Sequence, residues 1–174
     1  VNDFLFPALD NVGKGFEKGT IFLPQMLQAA TAAQAGFDII KTRLAESDSE
    51  SVSLGDVVIA TVKGDIHDIG KNIVKVIMEN YGFRMIDLGR DVPVETIVDT
   101  VVEKNIKLVG LSALMTTTLK SMEDTITAVK AAAPDCKVMV GGAVLTADYA
   151  EKIGADYYCK DAMKSVEAAQ EVFS

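Results

Sequence analysis

The sequence predicts an α/β protein: a Rossmann-like, doubly wound parallel sheet of five strands in the flavodoxin-like order 2-1-3-4-5, preceded by a small helical cap. Three observations carry the prediction. Beyond residue 55, short apolar runs alternate five times with helical stretches, the pattern of repeated βα units. Two of those runs, "VVIATV" and "VMVGGAV", are nearly continuous in apolar residues, as expected of parallel strands buried on both faces. Before them, 45-AESDSESVSLG-55 is small, polar and acidic, the composition of a linker between two units.

The elements follow in order. In 1-VNDFLFPALDNVGKGFEKG-19, Leu5, Leu9, Val12 and Phe16 fall on one helical stripe that ends at a glycine, so a helix with one buried face is expected. A second helix begins near Pro24, with Leu23, Met26, Ala30, Ala33, Phe37, Ile40 and Leu44 recurring in steps of three and four. Two helices alone would leave apolar surface open, so residues 1–46 are expected to form a cap belonging to a helix bundle. Residues 47–54 read as the linker and 55–174 as the α/β domain, the boundary lying near Ser53. Within that domain strands are expected near 56–62, 83–89, 108–114, 137–143 and 157–160. Helices are expected near 69–81, 93–105, 117–133, 146–153 and 161–173.

Composition narrows the function classes. With 17 Lys and Arg against 25 Asp and Glu, the formal charge of −8 argues against a surface that tracks nucleic-acid phosphates. Only Cys136 and Cys159 are present, too few and too far apart for a disulfide framework, which suits a reducing cytoplasm. The apolar runs are strand-sized, so no membrane partner is expected. No basic segment precedes an apolar one at the start, and an opening Val1 suggests a processed chain or an excised fragment.

In a doubly wound sheet, ligands bind beyond the carboxyl ends of the strands. The first such loop, 63-KGDIHDIGKNI-73, superficially resembles a phosphate loop. A phosphate loop, however, has four residues between its glycines and Ser or Thr after the lysine; here five residues separate Gly64 from Gly70, and Asn72 follows Lys71. The loop instead presents the only histidine of the chain, His67, with Asp65 two residues away. The stretches 111-LSALMTTTL-119 and 139-MVGGAVLT-146 end strands three and four, and the predicted strand order turns all three loops into one crevice. Each residue also has an ordinary role open to it. Asp65 could cap the helix that opens near Asp68, Ser112 and the threonines could satisfy local backbone groups, and Gly141-Gly142 could be a strand-end turn.

Taken together, these segments resemble the cobalamin-binding module, whose signature is Asp-x-His-x-x-Gly, then Ser-x-Leu, then Gly-Gly. Here those are Asp65-Ile66-His67-Asp68-Ile69-Gly70, Ser112-Ala113-Leu114 and Gly141-Gly142. The helical segment containing 20-TIFLPQMLQAA-30 resembles the cap of methyl-carrying corrinoid proteins, so the likeness spans essentially the whole chain. The nearest relatives it suggests are the corrinoid proteins of methanol, methylamine and methoxyaromatic methyltransferase systems and the cobalamin-binding region of methionine synthase. The resemblance implies a cobalamin cofactor, methylated in use, with its nucleotide tail swung into a slot between strands one, three and four. His67 would then be the lower axial ligand of cobalt, oriented by Asp65, and Thr118 would continue the relay with its hydroxyl. Ser112 would bond the tail base, and Gly70, Gly141 and Gly142 would admit the tail. Gly64, Ile66, Asp68, Ile69, Leu114 and Thr116 complete the implied cofactor site, while Phe22 and Met26 would shield its upper face.

Such a protein would pass a methyl group from a substrate-specific methyltransferase to an acceptor methyltransferase, with a reductive activator as a further partner. A zinc-activated thiol would belong to a partner, because one histidine and two distant cysteines cannot hold zinc. Two other readings stay open. One is a cobalamin-dependent regulatory or light-sensing module, disfavoured by the acidic balance and the absence of a helix-turn-helix segment. The other is the cobalamin-binding part of an adenosylcobalamin-dependent mutase, disfavoured by the preceding cap-like helices.

Overall fold

The computed structural model of the chain describes residues 5–45 and 53–174. Most of the expected linker therefore lies outside the described residues. Two helices come first, α1 (Leu5–Glu17) and α2 (Leu23–Ala45). The start of α2 is secured by Gln25, whose side-chain oxygen accepts from the Phe22 amide at 2.8 Å, and Pro24 needs no donor in that first turn. No described helix is long and apolar enough to cross a membrane.

The α/β domain runs β1 (Asp56–Thr61), α3 (Ile69–Asn80), β2 (Arg84–Asp87), α4 (Val94–Glu103), β3 (Leu108–Ser112), a 3-10 turn (Thr116–Thr118), α5 (Leu119–Ala132), β4 (Lys137–Gly141), α6 (Ala147–Lys152), β5 (Tyr157–Tyr158) and α7 (Ala162–Val172). All strand pairs are parallel, and the order is β2-β1-β3-β4-β5. β1 and β3 are therefore neighbours, and their registered ends, Thr61 and Ser112, lie side by side. Ser112 is in turn registered with Gly141 of β4.

The apolar runs are explained by burial on both faces. Val58, Ala60, Val109 and Val138 belong to one core with Ile97, Val101, Met122 and Ile126 of α4 and α5. Val57, Leu108 and Met139 alternate onto the other face, with Ile77 and Met78 of α3 and Val166 and Ala169 of α7. The helical cap adds a layer to this second face, since Met26 and Ala33 of α2 are buried in the same core.

The strands end one or two residues short of their expected limits. The reason is local: past Thr61 the chain leaves the ladder and makes only a single bridge, Val62 to Val92, and Gly89 and Gly142 turn it with φ of 92° and 142°. The helix expected near 117 opens instead with the 3-10 turn, because Thr118 is drawn toward Asp65, as described below.

The two-core arrangement makes a direct contrast testable. Met78 is 0 % exposed and Ile69 is 78 % exposed on the same helix. Met78→Ala should cost about 2–5 kcal/mol in chemical denaturation of the cofactor-free protein, by lost burial and an unfilled cavity. Ile69→Ala should change stability by less than about 0.5 kcal/mol in the same measurement.

Candidate functional site

The loop leaving β1 is organised around one buried carboxylate. Asp65 is 0 % exposed, and both of its oxygens are fully engaged. Oδ1 accepts from the His67 backbone amide at 3.0 Å and from His67 Nδ1 at 2.8 Å. Oδ2 accepts from the backbone amides of Leu114 at 2.7 Å and Met115 at 3.2 Å and from the Thr118 hydroxyl at 2.9 Å. The same hydroxyl also lies 2.8 Å from the Met115 carbonyl, so its one proton has two acceptors, of which the charged carboxylate is the stronger.

Burial alone would raise the Asp65 carboxyl. The amides of His67 and Leu114 and the side chains of His67 and Thr118 outweigh it and hold the group well below the usual carboxylate range. Asp65 therefore stays ionised and is no helix cap. Asp68 sits at the N-cap of α3 and makes no side-chain cap bond either.

An ionised Asp65 fixes the imidazole. With Nδ1–H donated to the carboxylate, Nε2 carries the free lone pair, the arrangement of a metal-binding histidine held by a carboxylate. The His67 side chain is 45 % exposed. Around it Ile66, Ile69 and Leu114 are 60 %, 78 % and 41 % exposed, an unusual amount of bare apolar surface beside one imidazole. Among the described residues no three His, Cys, Asp or Glu side chains gather to hold a metal ion. His67 can therefore supply one ligand to a metal whose other ligands come with it, which fits a metal held in a large organic ring.

A cavity of about 550 Å³ opens between the sheet and helices α3 and α7. Ile59 of β1, Gly110 to Ser112 of β3 and Met139 to Gly141 of β4 form its sheet wall, Gly70 and Lys71 line it from α3, and Gly142 follows at the end of β4. Its size and mostly apolar walls suit an organic ligand.

The three glycines of the sequence pattern differ physically. At Gly142 a Cβ would lie 1.8 Å from the Ala113 carbonyl oxygen, so the chain's own backbone requires glycine there. At Gly141 it would press on the Cys159 carbonyl at 3.1 Å. At Gly70 it would meet nothing within 4 Å, so the protein itself does not need that position bare. Space is kept at Gly70 beside a cavity, where a bound group can use it.

The structure thus brings Asp65, His67, Leu114 and Thr118 into one cluster and Gly70, Ser112, Gly141 and Gly142 around one cavity. Gly64 shapes the loop, and Thr116 begins the 3-10 turn. Met26 is buried in the second core, whereas Phe22 is 67 % exposed. Sequence reasoning missed the Lys71 ammonium, which is buried and bonds Asp87 at 2.6 Å and Asn72 at 2.8 Å, tying α3 to β2 where the cavity begins. Burial would raise Asp87, but its bonds to Lys71 and the Gly89 amide hold it low. No local pattern announces that pair, since its members are 16 residues apart.

Residues 55–169 match the B12 binding domain family, and residues 1–41 match a second family of the same description. The chain is 42% identical over 172 residues to dimethylamine corrinoid protein 1 of Methanosarcina acetivorans, covering 98% of this chain and 80% of that protein. Among solved structures it is similar to a cobalamin-binding protein from Desulfitobacterium hafniense, with a TM-score of 0.80, 37% identity and coverage of 95% of this chain and 78% of that one. It is also similar to the methanol:cobalamin methyltransferase complex MtaBC of Methanosarcina barkeri, with a TM-score of 0.80, 28% identity, and 99% and 66% covered.

The Asp65 cluster makes a pH-dependent prediction. Asp65→Asn puts an amide NH₂ among donors and should destabilise the cofactor-free protein by about 1–3 kcal/mol at neutral pH. The folded carboxyl titrates below its ordinary value of 3.8, so its stabilisation is complete above that value and is lost as the pH falls from there through the lower folded value. Denaturation of both proteins should show a gap that narrows below about pH 4. A gap that does not narrow below about pH 4 would contradict the ionised assignment.

Proposed function

This chain belongs to the family of B12-binding corrinoid proteins, and from that membership we propose that it carries a methyl group on a bound cobalamin between two methyltransferases of a methylamine-type system. The observation that carries the proposal is the His67 imidazole, held at Nδ1 by a buried, ionised Asp65 and partly exposed as a side chain, beside a cavity able to accept the nucleotide tail. A similar protein is a dimethylamine corrinoid protein, and a structural neighbour is part of a methanol:cobalamin methyltransferase complex, which favours the carrier over a regulator or a mutase.

When bound, the cofactor supplies the cobalt that takes up and gives up the methyl group. The chain's own residues do the rest. His67 would ligate cobalt from below through Nε2, and Asp65 would keep that imidazole oriented and electron-rich. Leu114, Met115 and Thr118 hold the Asp65 carboxylate charged, so the imidazole keeps a full negative partner. Ile66, Ile69 and Leu114 would receive the apolar underside of the ring and exclude water from it. Ser112 and Gly70 would meet the tail in the slot, one as a hydrogen-bonding group and the other by leaving space. Phe22 is available to shield the upper face, while Met26 serves the core. The methyl donor and acceptor are bound by partner proteins, one substrate-specific and one acceptor methyltransferase.

The function is tested by loading the chain with reduced corrinoid and adding methylamines with their methyltransferases. Methylation of the cobalt, followed by absorbance, is expected with at least one methylamine. A loaded protein that stays unmethylated with every methylamine and with methanol would overturn the assignment to this class of system.

The slot is tested separately by Gly70→Ala. Nothing in the protein opposes the added methyl group, and alanine favours a helix, so cofactor-free stability should hold or rise by up to about 1 kcal/mol. Corrinoid affinity should fall about tenfold or more, as expected for overfilling a fitted site. Equal affinity of the two proteins in binding titrations would mean that the tail does not pass Gly70.

A further inference from the structure

Asp91 lies in the connection between β2 and α4, remote in sequence from every motif discussed above. Its backbone is left-handed, with φ of 52°, a conformation uncommon for any residue but glycine. The turn aims both of its polar groups at the loop that carries His67. The Asp91 amide donates to the Asp65 carbonyl at 2.9 Å, and Asp91 Oδ1 accepts from the Gly64 amide at 2.7 Å. One residue on, the Val92 amide donates to the Thr61 carbonyl at 3.1 Å.

Neither ordinary role for an aspartate here fits. The side chain is exposed, so it fills no core, and α4 begins behind Pro93 at its N-cap, with no side-chain cap bond. The carboxylate is turned instead onto the amide of Gly64, the residue that precedes Asp65. The backbone amides of Leu114 and Met115 and the Thr118 hydroxyl hold the Asp65 side chain from one side, and Asp91 holds the backbone of Gly64 and Asp65 from the other.

We propose that Asp91 is a positioning residue for the axial ligand: by clamping the Gly64–Asp65 backbone it fixes where His67 stands and so how completely His67 occupies the lower position of cobalt. The inference rests on the reading of His67 as that ligand. A chain free to move at Gly64 keeps its histidine and its tail slot but holds the imidazole in place less of the time. The effect falls on ligation and not on cofactor capture, because Asp91 is not among the residues that line the cavity.

The test compares Asp91→Gly, Asp91→Ser and Asp91→Asn with the native chain, each loaded with corrinoid. Glycine keeps the left-handed turn and removes the carboxylate, and serine is too short to bridge. Asparagine keeps an acceptor oxygen, tolerates the turn and lacks only the charge. Readouts are the ratio of five- to four-coordinate Co(II) by paramagnetic resonance, the Co(II)/Co(I) midpoint potential, corrinoid affinity and melting of the cofactor-free protein. The glycine and serine variants should lower the coordination ratio about five- to tenfold, the scale of one lost hydrogen bond, and raise the potential. Their affinity should change less than the ratio does, and asparagine should restore both ratio and potential.

Glycine and serine variants with native ratio and potential would overturn the proposal. So would an asparagine variant as impaired as the other two, because the charge and not the clamp would then be at work. Melting or affinity that falls while the ratio in loaded molecules stays native would leave Asp91 a purely structural residue and also overturn it. A native protein with no five-coordinate Co(II) would instead remove the ligand reading on which the inference stands.

Discussion

Keeping a carboxylate ionised inside a protein requires enough donors to replace the water it has lost, and Asp65 takes five: two on Oδ1 and three on Oδ2. Two come from its own loop. The other three come from the segment after β3, about fifty residues further on in the chain. That supply exists because β1 and β3 are adjacent in the parallel sheet, with Thr61 and Ser112 in register, so that both loops leave the same edge at the same height. Strand order, the 3-10 turn at Thr116–Thr118 and the orientation of the imidazole are consequences of one another. A charge that would be costly to bury alone becomes the fixed point from which His67 is directed outward.

The same edge divides what the protein keeps for itself from what it leaves to a cofactor. Gly142 and Gly141 are closed against the chain's own carbonyls, while Gly70 stands in open space at the cavity. Ile66, Ile69 and Leu114 are exposed although each could be polar at no cost to the core. Space and apolar surface are thus held in reserve around a single unshared nitrogen. One imidazole cannot build a metal site, but it can complete one that arrives nearly whole, and the surrounding surface fits the organic frame that would bring it. Association with the helical cap follows the ordinary rules of packing: Met26 and Ala33 extend the core on the α3 and α7 face, leaving Phe22 outside it.

Much of this is legible in the amino-acid order because it is local. Apolar runs such as "VVIATV" announce strands buried on both faces, and Asp-x-His-x-x-Gly places the carboxylate two residues from the ring it holds. Thr118 could be reached only through the family resemblance, since nothing in its surroundings ties it to Asp65, 53 residues away. Strand ends were overextended because Val62, Gly89 and Gly142 read as strand residues until the loops that draw them out of the ladder are seen. The three glycines were indistinguishable in sequence; only the atoms opposite each absent Cβ separate a backbone requirement from a kept space. Lys71 with Asp87 and Asp91 with Gly64 escape the sequence for the same reason, since the first pair joins α3 to β2 and the second joins the first loop to the connection after β2, each across many residues.

The account stands on His67 as the protein's own axial nitrogen, and the chain contains no other histidine. Tag-free protein labelled with heavy nitrogen in histidine alone, loaded with corrinoid of natural isotopic composition and reduced to Co(II), isolates that atom. The predicted result is that the nitrogen splitting in the paramagnetic resonance spectrum changes from the three-line pattern of the common isotope to the two-line pattern of the heavy one. Splitting unchanged by the label would show that the cofactor keeps its own base or has no nitrogen below it, and would contradict the account.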